Sequence, residues 1–128
     1  MSRAIKLKGY YGGDEDRPLP AEITAIISGS GMSEVLTLDC KGGYRVSVPY
    51  RPIERLARQA LQAQDQRTEP HIQLEGQDGH LRRGKVIAYL RVSGRFVMLS
   101  LDFMNMGQIS APFPPIEKMA RDERGTFA

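Results

Sequence analysis

Two aromatic rings, one guanidinium and a short basic run are the side chains of this chain best suited to act on a partner. Tyr89 and Phe96 flank Arg91, and Arg82, Arg83 and Lys85 lie just upstream. From Arg82 to Arg95 there are five cations and no acid. Ring faces stack on nucleobases and cations follow a phosphate backbone, each stacked base being worth about 1–3 kcal/mol. With Lys6 and Lys8 as outlying cations, the residues expected to bind single-stranded nucleic acid are Arg82, Arg83, Lys85, Tyr89, Arg91, Phe96 and Arg45. The plainer explanation of the cations is a solvated edge that keeps sheets from pairing with one another. For the rings it is a second small core roofed by a helix.

Nothing comparable points to catalysis. His71 and His80 stand nine residues apart with no second cysteine to assemble a metal site. The glycines at 29, 31, 42, 43 and 107 match neither a phosphate-binding loop nor a dinucleotide fingerprint. Asp14, Glu15 and Asp16 lack the alternation and closing glutamate of a calcium loop, and Ser28, Ser30 and Ser33 have no nucleophile elbow around them. The chain is therefore expected to be no enzyme and to carry neither metal nor cofactor. Cys40, the single cysteine, cannot form an internal disulfide and reads as a small buried hydrophobe.

The elements that must position these residues follow from periodicity. Lys85 to Phe103 alternates strictly and reads as a hairpin turning on Ser93-Gly94, with Val92 opposite Arg95. Val86, Ala88 and Leu90 then share an apolar side with Val97, Leu99 and Leu101, while Tyr89, Arg91, Phe96 and Met98 share the other. Glu34 to Tyr50 is a second hairpin; a two-residue loop Gly42-Gly43 would mix its faces, so a three-residue loop Lys41-Gly42-Gly43 is preferred, pairing Leu36 with Val48, Leu38 with Val46 and Cys40 with Tyr44. Ala4–Lys8, Ala21–Ile27 and His71–Glu75 are shorter strands. Tyr10 to Gly13 and the acidic residues after it read as loop, as does Met104 to Gly107. Pro52 to Gln64 is the main helix, with Ile53, Leu56, Ala57, Ala60 and Leu61 on one face and Arg51, Arg55, Arg58 and Gln62 on a solvated stripe. Ile116, Met119 and Ala120 mark a short C-terminal helix. No internal repeat stands out.

These elements imply a mainly β fold: a small antiparallel barrel of six to seven strands with one main helix and a short C-terminal one. A single domain spans residues 1–128, with 1–20 as an N-terminal strand and loop and 112–128 as a C-terminal extension. The net charge of +3 and 41% hydrophobic content suit a soluble globular chain, and no apolar run approaches the roughly 18 residues that span a bilayer. No membrane partner is expected. The opening MSRAIKLKGYYGG lacks the apolar core of a secretory signal, so the cytoplasm is the expected compartment.

A meander from Ala21 to Val48, a helix from Pro52 to Gln64 and a final hairpin from Lys85 to Phe103 resemble, in order of elements, the OB fold and the single-strand-binding modules built on it. That resemblance implies a helix plugging one barrel end and a nucleic-acid groove on the sheet. Leu38-Asp39-Cys40-Lys41-Gly42-Gly43 also resembles the loop of PilZ domains, six-stranded barrels that bind cyclic di-GMP. Lys41 stands where that motif has serine, Tyr44 where it has its last glycine, and an Arg-x-x-x-Arg, Arg51 to Arg55, follows the loop instead of preceding the barrel. This second resemblance implies a degenerate barrel that keeps a protein partner. Met98, Met104, Met106 and Phe103 are the side chains expected to meet one.

Overall fold

Ten regular elements of more than one turn follow one another in the computed structural model: β1 (Ser2–Gly12), β2 (Leu19–Ser28), β3 (Val35–Cys40), β4 (Tyr44–Pro49), α1 (Arg51–Gln62), β5 (His71–Asp78), β6 (Arg83–Ser93), β7 (Phe96–Phe103), β8 (Gln108–Pro112) and α2 (Phe113–Gly125). The structure describes all residues except Met1, 13–18, 41–43, 63–69, 94–95, 105–106 and 126–128. The acidic residues 14–16, the hairpin loop 41–43, Gly94 and Arg95, Met106 and the expected helix end at 63–64 therefore lie outside the described residues.

Every strand pairs antiparallel with its sequence neighbours, and β8 pairs with β1, closing the barrel. Closure, antiparallel pairing and a helix between β4 and β5 agree with the expected architecture. The strand count does not: there are eight, not six to seven. The strand missed is Gln108–Pro112, where only Ile109 and Ala111 face the core and a proline closes the run. Proline is tolerated there because it ends the strand, where its missing N–H disturbs the ladder least. The order is an uninterrupted meander, whereas an OB barrel is a five-stranded Greek key.

Register explains which side chains face in. Leu36 pairs with Val48, Leu38 with Val46 and Cys40 with Tyr44, as the apolar pattern requires. In the β6–β7 hairpin Ser93 lies opposite Phe96 and Leu90 opposite Leu99, two residues further on than a turn on Ser93-Gly94 would place them. A shift by two preserves the faces, since side chains alternate with period two. Val86, Ala88, Leu90, Leu99 and Leu101 are accordingly fully buried. An eight-stranded barrel has an interior just wide enough for side chains, and here the inward residues fill it.

The halves of the chain repeat one another. Each is a four-strand meander followed by a helix, β1 to α1 and β5 to α2. Leu36 and Leu99 stand 63 positions apart, and the same offset aligns Leu38-Asp39 with Leu101-Asp102, Ser47 with Ser110, Pro49 with Pro112, and Pro52-Ile53-Glu54 with Pro115-Ile116-Glu117. Ala57-Arg58 likewise aligns with Ala120-Arg121. In the first strand of each half, Ile5-Lys6-Leu7-Lys8-Gly9 aligns with Ile72-Gln73-Leu74-Glu75-Gly76 at an offset of 67, because the β1–β2 connection is four residues longer than its counterpart. Contacts repeat as well. The Thr37 and Ser47 hydroxyls lie 2.8 Å apart and those of Ser100 and Ser110 2.7 Å. The i,i+4 pairs Glu54–Arg58 and Glu117–Arg121 measure 3.3 and 3.5 Å. The seams correspond, Val46 opposite Asp78 and Ile109 opposite Tyr11.

Antiparallel order places the C-terminal ends of β4 and β8 at one end of the barrel, so both helices spring from that end. Ile53 and Ala57 of α1, and Ile116, Met119 and Ala120 of α2, are buried in the same core. α1 is also fastened by charge. Glu34, 2% exposed, lies 2.7 Å from Arg51 Nε, and Arg51 Nη1 lies 3.7 Å from Glu54, itself buried. Arg51 and Arg58 are thus engaged in ion pairs and do not simply line a solvated stripe.

Equivalent core positions should respond alike. Leu38→Ala and Leu101→Ala are each expected to lower the unfolding free energy by about 2–5 kcal/mol, the usual range for a buried leucine, as measured by urea denaturation.

Candidate nucleic-acid interface

The outer face of β6 and β7 carries the rings and Arg91. Tyr89 is opposite Ser100 and Arg91 opposite Met98, with Phe96 at the start of β7. Phe96 is 75% exposed, so neither helix roofs it. Tyr89 is half-buried and has His71 beside it across the β5–β6 ladder, ring centroids 5.8 Å apart. Met98, half-buried, lies between Arg91 and Pro112 on neighbouring strands. Tyr89, Arg91 and Phe96 therefore form one outward patch at the helix end of the hairpin.

The other expected residues lie elsewhere. Arg83 is eight residues from Arg91 along β6, about 25 Å at the usual rise per residue. Lys85 stands opposite Glu75. Arg82 is engaged at the β5–β6 turn, its Nε donating to Asp78 Oδ2 at 2.9 Å while the Arg82 and His80 N–H groups donate to Asp78 Oδ1, each at 2.9 Å. This clasp surrounds Leu81, whose φ of 63° is in the left-handed region. Arg45 is near the same loop end and donates to Asp39 Oδ2 at 2.8 Å. The seven residues do not converge: three gather at the helix end, and Arg45, Arg82, Arg83 and Lys85 lie toward the loop end.

Of the side chains expected to meet a protein partner, Met104 is 52% exposed, but Phe103 is in the core and cannot. Phe103 alternates inward with Leu99 and Leu101, which is why its ring is buried. Met106 lies outside the described residues. Cys40 is buried on the apolar side, and burial, reinforced by Asp39, raises its thiol pKa. Among the described residues no group of three metal-ligating side chains comes together, and no helix is long and apolar enough to cross a membrane.

At the loop end Tyr44 donates to the Gly107 carbonyl at 2.9 Å and packs against Tyr11, ring centroids 4.9 Å apart. Burial, then Tyr11 and Asp102, push its phenol up to about 12. For Asp78, burial pushes the pKa up, but the two N–H donors and the Arg82 guanidinium outweigh it and hold the carboxyl below its ordinary value.

Comparison of halves separates what the fold requires from what it does not. At the positions of Tyr89, Arg91, Phe96 and Met98 the first half has Ile26, Ser28, Ser33 and Val35. Arg82 and Arg83 replace Leu19 and Pro20. Lys85 is different, because Lys8 opposite Glu22 becomes Glu75 opposite Lys85, the same pair with its signs exchanged. Lys85 thus stands at a position that is charged in both halves, while the ring-and-guanidinium patch is peculiar to the second half. Comparison of the chain with protein-family models, curated proteins and solved structures finds no match.

Two pH limits follow. The folded-state pKa of Asp78 is depressed, so its contribution is present above the ordinary carboxylate pKa and is lost as pH falls through the folded value. Asp78→Asn should flatten the fall in melting temperature between neutral pH and about pH 3, the region where an unperturbed aspartate titrates. The Tyr44 pKa is raised, so its contribution is complete below the free phenol value of about 10 and disappears as pH rises through about 12. Ultraviolet titration should show late tyrosine ionisation near that value, and Tyr44→Phe should lower its amplitude by one tyrosine.

Proposed function

We propose that this chain binds single-stranded nucleic acid, without catalysing a reaction, through the outer face of β6 and β7. The observation that carries the reading is the asymmetry between the repeats: the second half places Tyr89, Arg91, Met98 and Phe96 where the first has smaller or uncharged residues. A barrel must keep its inward residues, and both halves do. No folding requirement calls for a 75%-exposed phenylalanine beside an exposed arginine.

In this reading Phe96 and Tyr89 offer ring faces to two bases, and His71 supports the Tyr89 ring from the adjacent strand. Arg91 sits between them and neutralises a phosphate. Arg83, far along the same strand, extends the track for a longer ligand. Arg82 and Arg45 already hold carboxylates and contribute field more than direct contact.

Fluorescence-anisotropy titration with oligothymidine tests the reading. Affinity should fall steeply with salt, and Arg91→Ala should reduce the slope of log affinity against log salt by about one contact's worth. Tyr89→Ala with Phe96→Ala should weaken binding by roughly thirtyfold to ten-thousandfold while the melting transition stays cooperative, since each of the two stacked bases is worth about 1–3 kcal/mol. Absence of binding at low salt overturns the proposal.

A further inference from the structure

Between the first residues of β1 and the outer flank of α2 runs an open groove of about 700 Å³, lined by Arg3, Ala4, Ile5 and, from the helix, Pro114, Pro115, Lys118, Met119 and Asp122. It exists because the β8–β1 seam is short. On one side β1 pairs with β2 from Ser2 through Tyr11, but on the other it meets β8 only at Tyr10, Tyr11 and Gly12. Beyond Pro112 the chain turns into α2, so among the described residues no strand pairs with that side of β1 from Arg3 to Lys8. Six residues of free edge amount to about 20 Å of unpaired N–H and C=O groups, a template for another strand.

We infer that this groove takes an extended segment of a partner protein, which adds as a strand to the free edge of β1 and lays acidic side chains against Arg3 and Lys118. Backbone complementarity comes from the edge; side chains of the added strand alternate between its two faces, so that one set meets Arg3 and the other Ala4, with Pro114 and Pro115 as apolar contact from the helix. Charge selects the partner. Arg3 and Lys118 outnumber the one anion of the lining, Asp122. Among the described residues the matching edge of β5 likewise lacks a strand partner from His71 to Gly76, but the counterpart of Arg3 there is Pro70, which brings no cation and no N–H. This surface is separate from the β6–β7 patch and does not depend on nucleic-acid binding.

The test uses the full chain and a fluorescein-labelled decapeptide alternating valine with glutamate. Binding should slow hydrogen exchange at backbone amides between Arg3 and Lys8, and Arg3→Glu with Lys118→Glu, both exposed positions, should weaken it at least tenfold without shifting the melting temperature. A decapeptide of the same composition with its valines and glutamates in separate blocks should bind at least tenfold more weakly. No binding at millimolar peptide, equal binding of the block peptide, or binding that leaves those amides unprotected would overturn the inference. So would sedimentation showing that a second copy of the chain occupies the edge. Oligothymidine affinity should be the same with and without the peptide, which keeps failure here distinct from failure of the β6–β7 reading.

Discussion

Closing a sheet on itself commits one residue in two along every strand to a shared interior, and most of this molecule is a response to that demand. With eight strands the lumen is filled by side chains, so Ile23, Leu38, Leu90, Leu99 and Ile109 pack into one core from different strands. The ends need separate solutions. Two helices entering after Pro49 and Pro112 seal one end with Ile53 and Ile116, and the Tyr11–Tyr44 pair lies at the other. What remains for function is the outside and the edges.

The repeat acts as an internal control on that outside. Positions constrained by closure are the same or similar in both halves, as with Leu38 and Leu101 or Ile53 and Ile116, and the outward hydroxyl pairs that bridge β3–β4 and β7–β8 recur as well. The outward positions of β6 have diverged. β6 carries Arg82, Arg83, Tyr89 and Arg91 against Leu19, Pro20, Ile26 and Ser28 on β2. Lys85 is the exception on β6, since Lys8 opposite Glu22 and Glu75 opposite Lys85 place one charge of each sign at the same register position in both halves.

Much of the barrel was legible because alternation is a strong signal wherever one face is buried. The β3–β4 register followed from requiring Leu36, Leu38 and Cys40 to meet apolar partners, and the sidedness of β6 and β7 followed likewise. The exact β6–β7 pairing did not, because registers two residues apart bury the same set. β8 escaped because two apolar positions between polar residues and a proline make a weak pattern; only pairing with β7 and β1 makes it a strand. The repeat escaped because its clearest stretch, Ser-x-Pro-aromatic-x-Pro-Ile-Glu, straddles a strand end and a helix start, and the unequal β1–β2 connection breaks the offset. The dispersal of the cations was not readable either, since residues close in sequence along one strand, such as Arg83 and Arg91, are far apart in space.

The short seam between β8 and β1 also sets the order in which the fold assembles. Every other ladder joins consecutive strands, whereas Tyr10 meets Ser110 across a hundred intervening steps of chain, with only three residue pairs to reward the encounter. Loop-closure entropy makes such a contact costly until the intervening meander is in place. Of the two short seams this one spans by far the greater separation in sequence, so it becomes favourable only once the rest of the sheet is formed. Thermal fluctuations should open it and the two-pair β4–β5 seam before the longer ladders.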